Sequence, residues 1–283
     1  MASSSERDVF AHINDEIVTN AGLRAERLGE AKRGFAPIRK VFVQRPKTEA
    51  RRPSILGTMV NKRMRLPLRT LLLVYALEPL LADARWPLAI WARLIAGTGP
   101  VPSIEAVSNA FTALQNLKLI TRTNVGKAVV VRPLLEDGSG ADYTRPTAKG
   151  AAVGPGYLTV PHEYWNSGLA DQLKLPGTAM FLVALHETTR EATYQISLEQ
   201  MQGWYGISER TAERGYLELG EPANGGILMT KTQWVRDPKM RQTNGLRPAV
   251  HRALKSPYSQ AAREELQAKS SAAARAAAAS SQP

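Results

Sequence analysis

Residues 197–219 carry the pattern that most restricts what this chain can fold into, because they spell two short helices with a tight turn between them. Ser197 and Gln200 have the spacing of a capping box, in which each end of the first turn satisfies the other's backbone donor. Gly206 then supplies a residue tolerant of positive φ, Ile207 an apolar pin and Ser208 a new N-cap. Two helices joined this way meet at a sharp angle. In that geometry Met201, Ile207, Ala212, Tyr216 and Leu219 share a core, and Glu209, Arg210, Glu213 and Arg214 point outward from the second helix. An exposed polar helix of this size fits a DNA major groove.

The flanks extend the pattern. Upstream, residues 175–185 read as an apolar helix opened by Pro176, followed by Tyr194-Gln195-Ile196 at strand length. Downstream, 227–230 and 246–252 read as strands around a basic stretch, and 231–255 holds seven Lys or Arg against the single acid Asp237. The order helix, short strand, helix, turn, helix, strand, strand over 157–255 resembles the winged helix-turn-helix domain. That resemblance implies base reading by Arg210, Glu213 and Arg214, with Arg on guanine and Glu on cytosine N4. It implies backbone contacts from Ser208 and Thr211 at the helix start and from Lys231, Arg236, Lys239 and Arg241 on the wing.

A second copy precedes the first, over 66–134. Residues 68–81 form an apolar helix that Pro79 can end early, and 87–96 form another with a proline in its first turn. Ser103 is placed to cap a third helix over 104–119, which buries Val107, Phe111, Leu114 and Leu117 and turns Glu105, Ser108, Asn109 and Thr112 outward. Two short strands follow around 124–127. In this copy Ser108 and Asn109 are the base-reading candidates, with adenine the partner for Asn109, and Arg122 and Lys127 the backbone candidates. Its outward helix face lacks Arg and Lys, so weak DNA contact and dimer packing both stay open.

Charge supports the same direction. The 283 residues hold 37 Lys or Arg against 25 Asp or Glu, a net charge of +12, which makes a polyanion the expected partner. The excess is concentrated in 31–65, where eleven basic residues accompany only Glu49. With Pro37, Pro46 and Pro53 interspersed, this segment reads as a flexible arm without a packed core, offering Arg39, Lys40, Arg45, Lys47, Arg51, Arg52, Lys62 and Arg63 to phosphates. Before it, 1–30 contains an amphipathic helix suited to a partner. Residues 135–156 are Gly-rich and read as the interdomain linker, and 256–283 as an Ala/Ser-rich low-complexity tail, disordered or a lone helix. The overall expectation is a mainly α, α+β chain of two winged helix-turn-helix domains in tandem.

No enzyme signature competes. His162-Glu163 and His186-Glu187 each begin like a zinc-protease helix, but the second His four residues on is missing in both. The four histidines lack ligand spacing, no Gly-rich loop carries the Lys-Ser/Thr of a phosphate site, and no cysteine is present. The expectation is therefore a non-enzyme with no metal and no cofactor. The longest apolar run, around 71–82, is interrupted by Glu78 and too short to span a bilayer, so a cytoplasmic, nucleoid-associated protein is expected. Trp86, Trp91, Trp165 and Trp204 read as core residues before they read as an effector pocket. Tandem winged helices in a basic, cysteine-free chain resemble bacterial transcription regulators and plasmid replication initiators. Double-stranded DNA is the expected partner, with a homodimer possible. Two readings stand beside the regulator: a plasmid or phage initiator binding iterated origin sites, and a protein-interaction module with a non-specific nucleic-acid anchor. RNA binding is disfavoured by a total of 18 aromatic residues.

Overall fold

Local chemistry sets most element ends. Thr19, Ser54, Ser103, Ser197 and Ser208 each accept a backbone N–H from the first turn of the helix that follows them. The computed structural model describes residues 18–44, 53–146, 156–236 and 245–280. It is an α+β chain whose sheets are all small and antiparallel. The elements run α1 (Asn20–Glu30), β1 (Phe35–Arg39), α2 (Ile55–Asn61), α3 (Arg65–Ala76), β2 (Trp86–Pro87), α4 (Leu88–Ala96), α5 (Ile104–Asn116), β3 (Ile120–Val125) and β4 (Ala128–Pro133). After these come β5 (Tyr157–Pro161), α6 (Glu163–Asn166), α7 (Leu169–Gln172), α8 (Leu175–Glu187), α9 (Leu198–Tyr205), α10 (Glu209–Gly220), β6 (Leu228–Arg236), β7 (Leu246–Leu254) and α11 (Gln260–Ser280).

Two units repeat one order of elements. In the first, α3 leads to the two-residue β2, then to α4, α5 and the β3–β4 hairpin, and β2 pairs with β4 so that the sheet order is β2-β4-β3. The second runs α8, α9, α10 and the β6–β7 hairpin, and Tyr194 makes a single antiparallel bridge to Arg252 on β7. The strand before the helix pair therefore meets the second hairpin strand in both units. The sequence pattern showed neither Trp86–Pro87 as a strand nor its partner, because two residues are too few for an alternation signal.

The segment between 31 and 65 corrects the expectation of a flexible arm where it is described. Ala36, Ile38, Phe42, Ile55, Leu56, Met59 and Val60 are buried in the shared core, and Phe35 is buried beside it. β1 pairs in register with β5, Phe35 opposite Pro161 and Arg39 opposite Tyr157, so a strand preceding the first unit closes on one following it. Basic residues set the charge of this stretch, yet apolar residues cluster in 35–43 and 55–60, and the strand partner lies more than a hundred residues away. Arg45, Lys47, Arg51 and Arg52 lie outside the described residues, as does the expected helix start before residue 18.

Two other expectations need the same correction. The start of the supposed linker is packed: Leu135 and Glu136 are buried, and Glu136 forms an ion pair with Arg39. The tail forms a helix, one of its two expected states, but that helix is not alone, because its first turns are docked. Buried Arg263 donates to the carbonyls of Leu185 and Thr188, satisfying the open end of α8, while Gln267 donates to the Thr159 hydroxyl. From Ser271 onward the described side chains of the helix are exposed.

Candidate nucleic-acid interface

The second helix pair has the local chemistry its sequence demands. Ser197 and Gln200 form both halves of the capping box, Gly206 adopts φ +68° and ψ +22°, and Ser208 caps α10. Met201, Ile207, Ala212, Tyr216 and Leu219 are all buried, as expected from their spacing. α10 lies close against α8 because Gly215 has no side chain. A Cβ there would stand 2.3 Å from Met180 Cγ and 2.5 Å from the Pro176 carbonyl oxygen. Glu218, in the last turn of α10, accepts from the backbone amides of Lys174 and Gly177 and so caps the start of α8.

With those residues turned inward, Arg210, Glu213, Arg214 and Leu217 form an exposed stripe at helical spacing. Arg210, Glu213 and Arg214 make no hydrogen bond or ion pair with any described residue, and Leu217 is 70% exposed. At the head of the helix the Ser208 and Thr211 hydroxyls are 2.9 Å apart, and the pair is exposed to solvent on the Ser208 side. The helix thus presents two unengaged guanidinium groups, the exposed carboxylates of Glu209 and Glu213, and a hydroxyl pair at its positive end.

Exposed cations also lie on the hairpin and beside the turn. On the hairpin, Lys231 and Arg236 are exposed; Lys239 and Arg241 lie outside the described residues. At the turn, α2 approaches so closely that a Cβ on Gly57 would sit 2.4 Å from the Tyr205 carbonyl oxygen. Asn61 at the end of α2 donates to the Gly206 carbonyl at 3.2 Å. Lys62 and Arg63 follow it directly and are exposed, so two of the residues assigned to a loose arm are held beside the helix turn.

The remaining arm candidates behave differently. Arg39 is 2% exposed, donates to Glu136 at 2.7 Å and to Thr144, and is buried structure with no access to a phosphate. Burial pushes the Glu136 carboxyl above its ordinary range, against the pull of Arg39. Lys40 is half-buried, and burial, with Arg190 adding, lowers its pKa.

In the first unit Asn109 is exposed on α5, and Lys127 is exposed at the hairpin turn. Ser108 and Arg122 are not separate contacts: the Arg122 guanidinium donates to the Ser108 hydroxyl at 3.0 Å and lies over the Phe111 ring. The corresponding outer surface carries Val101, Ile104 and Val125, all exposed and apolar. Trp91 and Trp165 are core residues as expected, but Trp204 is half exposed on α9. Two exposed residues had no place in the sequence-based site, Leu217 and Trp234. The signal for Trp234 was the alternation Thr232, Trp234, Arg236 along a strand edge.

Among the described residues, no group of His, Asp and Glu side chains is placed to hold a metal ion, and no helix is long and apolar enough to cross a membrane. Comparison with models of known protein families, with curated proteins and with solved structures finds no match to this chain.

Proposed function

We propose that this chain is a sequence-specific double-stranded DNA-binding protein built from two winged helix-turn-helix units. The observation that carries the reading is the α9–α10 pair. Its outward stripe is free of internal partners among the described residues, and exposed cations stand on the hairpin and at Lys62 and Arg63 by the turn. An arginine that spends its donors on nothing inside the protein is available for the O6 and N7 of guanine, and a free Glu213 for cytosine N4. Ser208, Thr211, Lys231 and Arg236 would hold the phosphates and set the register. The repeated element order, with the pre-helix strand joined to the second hairpin strand in both units, supports the winged-helix reading.

Within that reading the first unit takes a lesser part in base contact. Its α5 face offers Asn109 but no free cation, and Arg122 is engaged with Ser108. The exposed Val101, Ile104 and Val125 favour a protein contact there, including self-association. Regulation of transcription and initiation of replication at iterated sites use the same DNA-reading surface. The shape of the selected site bears on which role applies.

The test is selection of bound duplexes from a random library by the full chain at about physiological salt, where non-specific phosphate binding is weakened. A defined motif is expected, changed at one base pair by Arg214→Ala. A palindromic motif would indicate a symmetric dimer, and a repeated one an initiator. Absence of any enriched motif would overturn the proposal and leave a non-specific basic anchor.

A further inference from the structure

The β6–β7 hairpin bears an apolar patch in a basic setting. Trp234 is 68% exposed and Leu246 38%, whereas large apolar side chains elsewhere in this half of the chain are mostly in the core. Across the ladder Trp234 faces Pro248, and Arg236 faces Leu246. These four residues share one face of the hairpin, since side chains opposite one another in register point the same way.

That face can be identified. Arg252, opposite Thr230 in the same ladder, lays its guanidinium 4.1 Å from the ring centroid of Tyr216 on α10. Pro248, like Arg252, lines a cleft with the cap Ser197 and with Gly203 and Trp204 of α9, and Trp234 stands opposite Pro248 in the ladder, so this face of the hairpin fronts the α9–α10 pair. At about 3.4 Å per residue Trp234 stands roughly 14 Å farther out along the hairpin than the Arg252–Tyr216 contact. The indole is thus exposed on the hairpin face that fronts the helix pair.

We propose that Trp234 contacts nucleobases, its ring entering the groove that flanks the site read by α10, opening a base step and bending the duplex. The inference rests on the DNA-reading function proposed above. Wedges of this kind exchange the cost of unstacking one step for a larger wrapped surface. Charge selects the occupant. From 231 to 255 the chain holds seven basic residues and one acid, a setting that attracts a polyanion and repels a second copy of the same hairpin. A polyanion with flat apolar faces inside it matches an exposed indole on a strand that also carries the exposed Lys231 and Arg236.

The experiment compares the full wild-type chain with Trp234→Ala, Trp234→Phe and Arg214→Ala. Each is measured on the selected duplex for affinity against salt and for bend angle, by gel mobility with the site at permuted positions. Trp234→Ala is expected to weaken binding by about tenfold to hundredfold, the range for losing one stacked base. It should also reduce the bend, while leaving sequence preference and the salt slope unchanged. Trp234→Phe should keep most of both. Wild-type affinity and bend in Trp234→Ala would overturn the inference, and a loss of discrimination in Arg214→Ala would show that the DNA reading itself survives. If the wild-type chain selects no duplex, both fall together. A Trp234→Ala protein with intact DNA binding but lost self-association, or lost binding to phosphatidylserine vesicles, would assign the patch to a protein or membrane contact and overturn the inference.

Discussion

The Arg24 guanidinium grips the Asp171 carboxylate with two hydrogen bonds of 2.8 Å, joining the first described helix to a short helix 147 positions later in the chain. Asp171 also accepts from Arg69 at 2.6 Å and from the amide and hydroxyl of Thr98. One carboxylate thus gathers α1, then α3 and the end of α4 from the first unit, and the approach to the second. Burial works to raise its pKa, but Arg24 and Thr98 outweigh that and hold it below the usual carboxylate value.

Replacing Asp171 by Ala strands two buried guanidinium groups. A loss of about 3–5 kcal/mol in unfolding free energy is expected, the cost of breaking one side of a buried pair. Urea denaturation followed by circular dichroism measures it. Because the folded pKa is depressed, the contribution is present above the unfolded pKa of about 3.8 and is lost as pH falls through the folded value. A loss under about 1 kcal/mol, the scale of an exposed pair, would remove Asp171 as the joint between the units.

His162 should make stability depend on pH in a different window. Burial, with Arg33 adding and a backbone bond to Leu28 opposing, brings it from 6.5 down to about 4, and its Nε2 is buried without a partner. Between those values the unfolded chain takes up a proton that the folded chain refuses. Stability is complete above about pH 6.5 and falls as pH drops toward 4, by on the order of 3 kcal/mol at the lower end. Thermal melts across that range on the wild type and on His162→Phe check it; the variant should show a shallower slope.

Gly215→Ala sets two effects against each other. Alanine is the better helix former by about 1 kcal/mol, but its Cβ must displace the Pro176 carbonyl and Met180, at about 1–3 kcal/mol. Contact wins, and net destabilisation is expected. Gly203→Ala on α9, where a Cβ meets nothing within 4 Å, is the matched control and should be neutral or stabilising. Equal denaturation midpoints for the two variants would contradict the close packing of α8 and α10.

Base reading and phosphate holding separate by mutation. Arg214→Ala should cost about 1–3 kcal/mol and relax preference at one base pair, while Lys231→Ala should weaken all duplexes alike and reduce the salt slope by about one. Affinity titrations at several salt concentrations, on selected and random duplexes, distinguish them. Identical behaviour of the two variants would reject the assignment of α10 as the reading helix.

Truncation should divide α11. A chain ending at 259 loses Arg263, which satisfies the last carbonyls of α8, and is expected to be less stable by on the order of 3 kcal/mol, the worth of hydrogen bonds to a charged donor. One ending at 272 keeps those bonds and should melt with the wild type. Indistinguishable melting of the two would refute the docking of the helix.

What the sequence determined by itself is local. A capping box, a positive-φ glycine and apolar positions at helical spacing specify α9, the turn and α10 within one stretch of chain, and every residue assigned to their core is buried there. The caps Ser103 and Ser208 and the hairpin β3–β4 were legible for the same reason: donors, acceptors and turn lie within a few positions of one another. Tertiary structure alone decided the fate of the described parts of 31–65. Its net charge promised a solvated arm, yet β1 finds β5, Arg39 finds Glu136 and Asn61 finds Gly206, partners separated by 97 to 145 positions. The same holds for Arg263 of α11, which docks on α8, and for Trp234, which its hairpin leaves exposed. Composition averages over a segment, whereas burial is settled by which distant surface arrives to cover it, and no local pattern encodes that arrival.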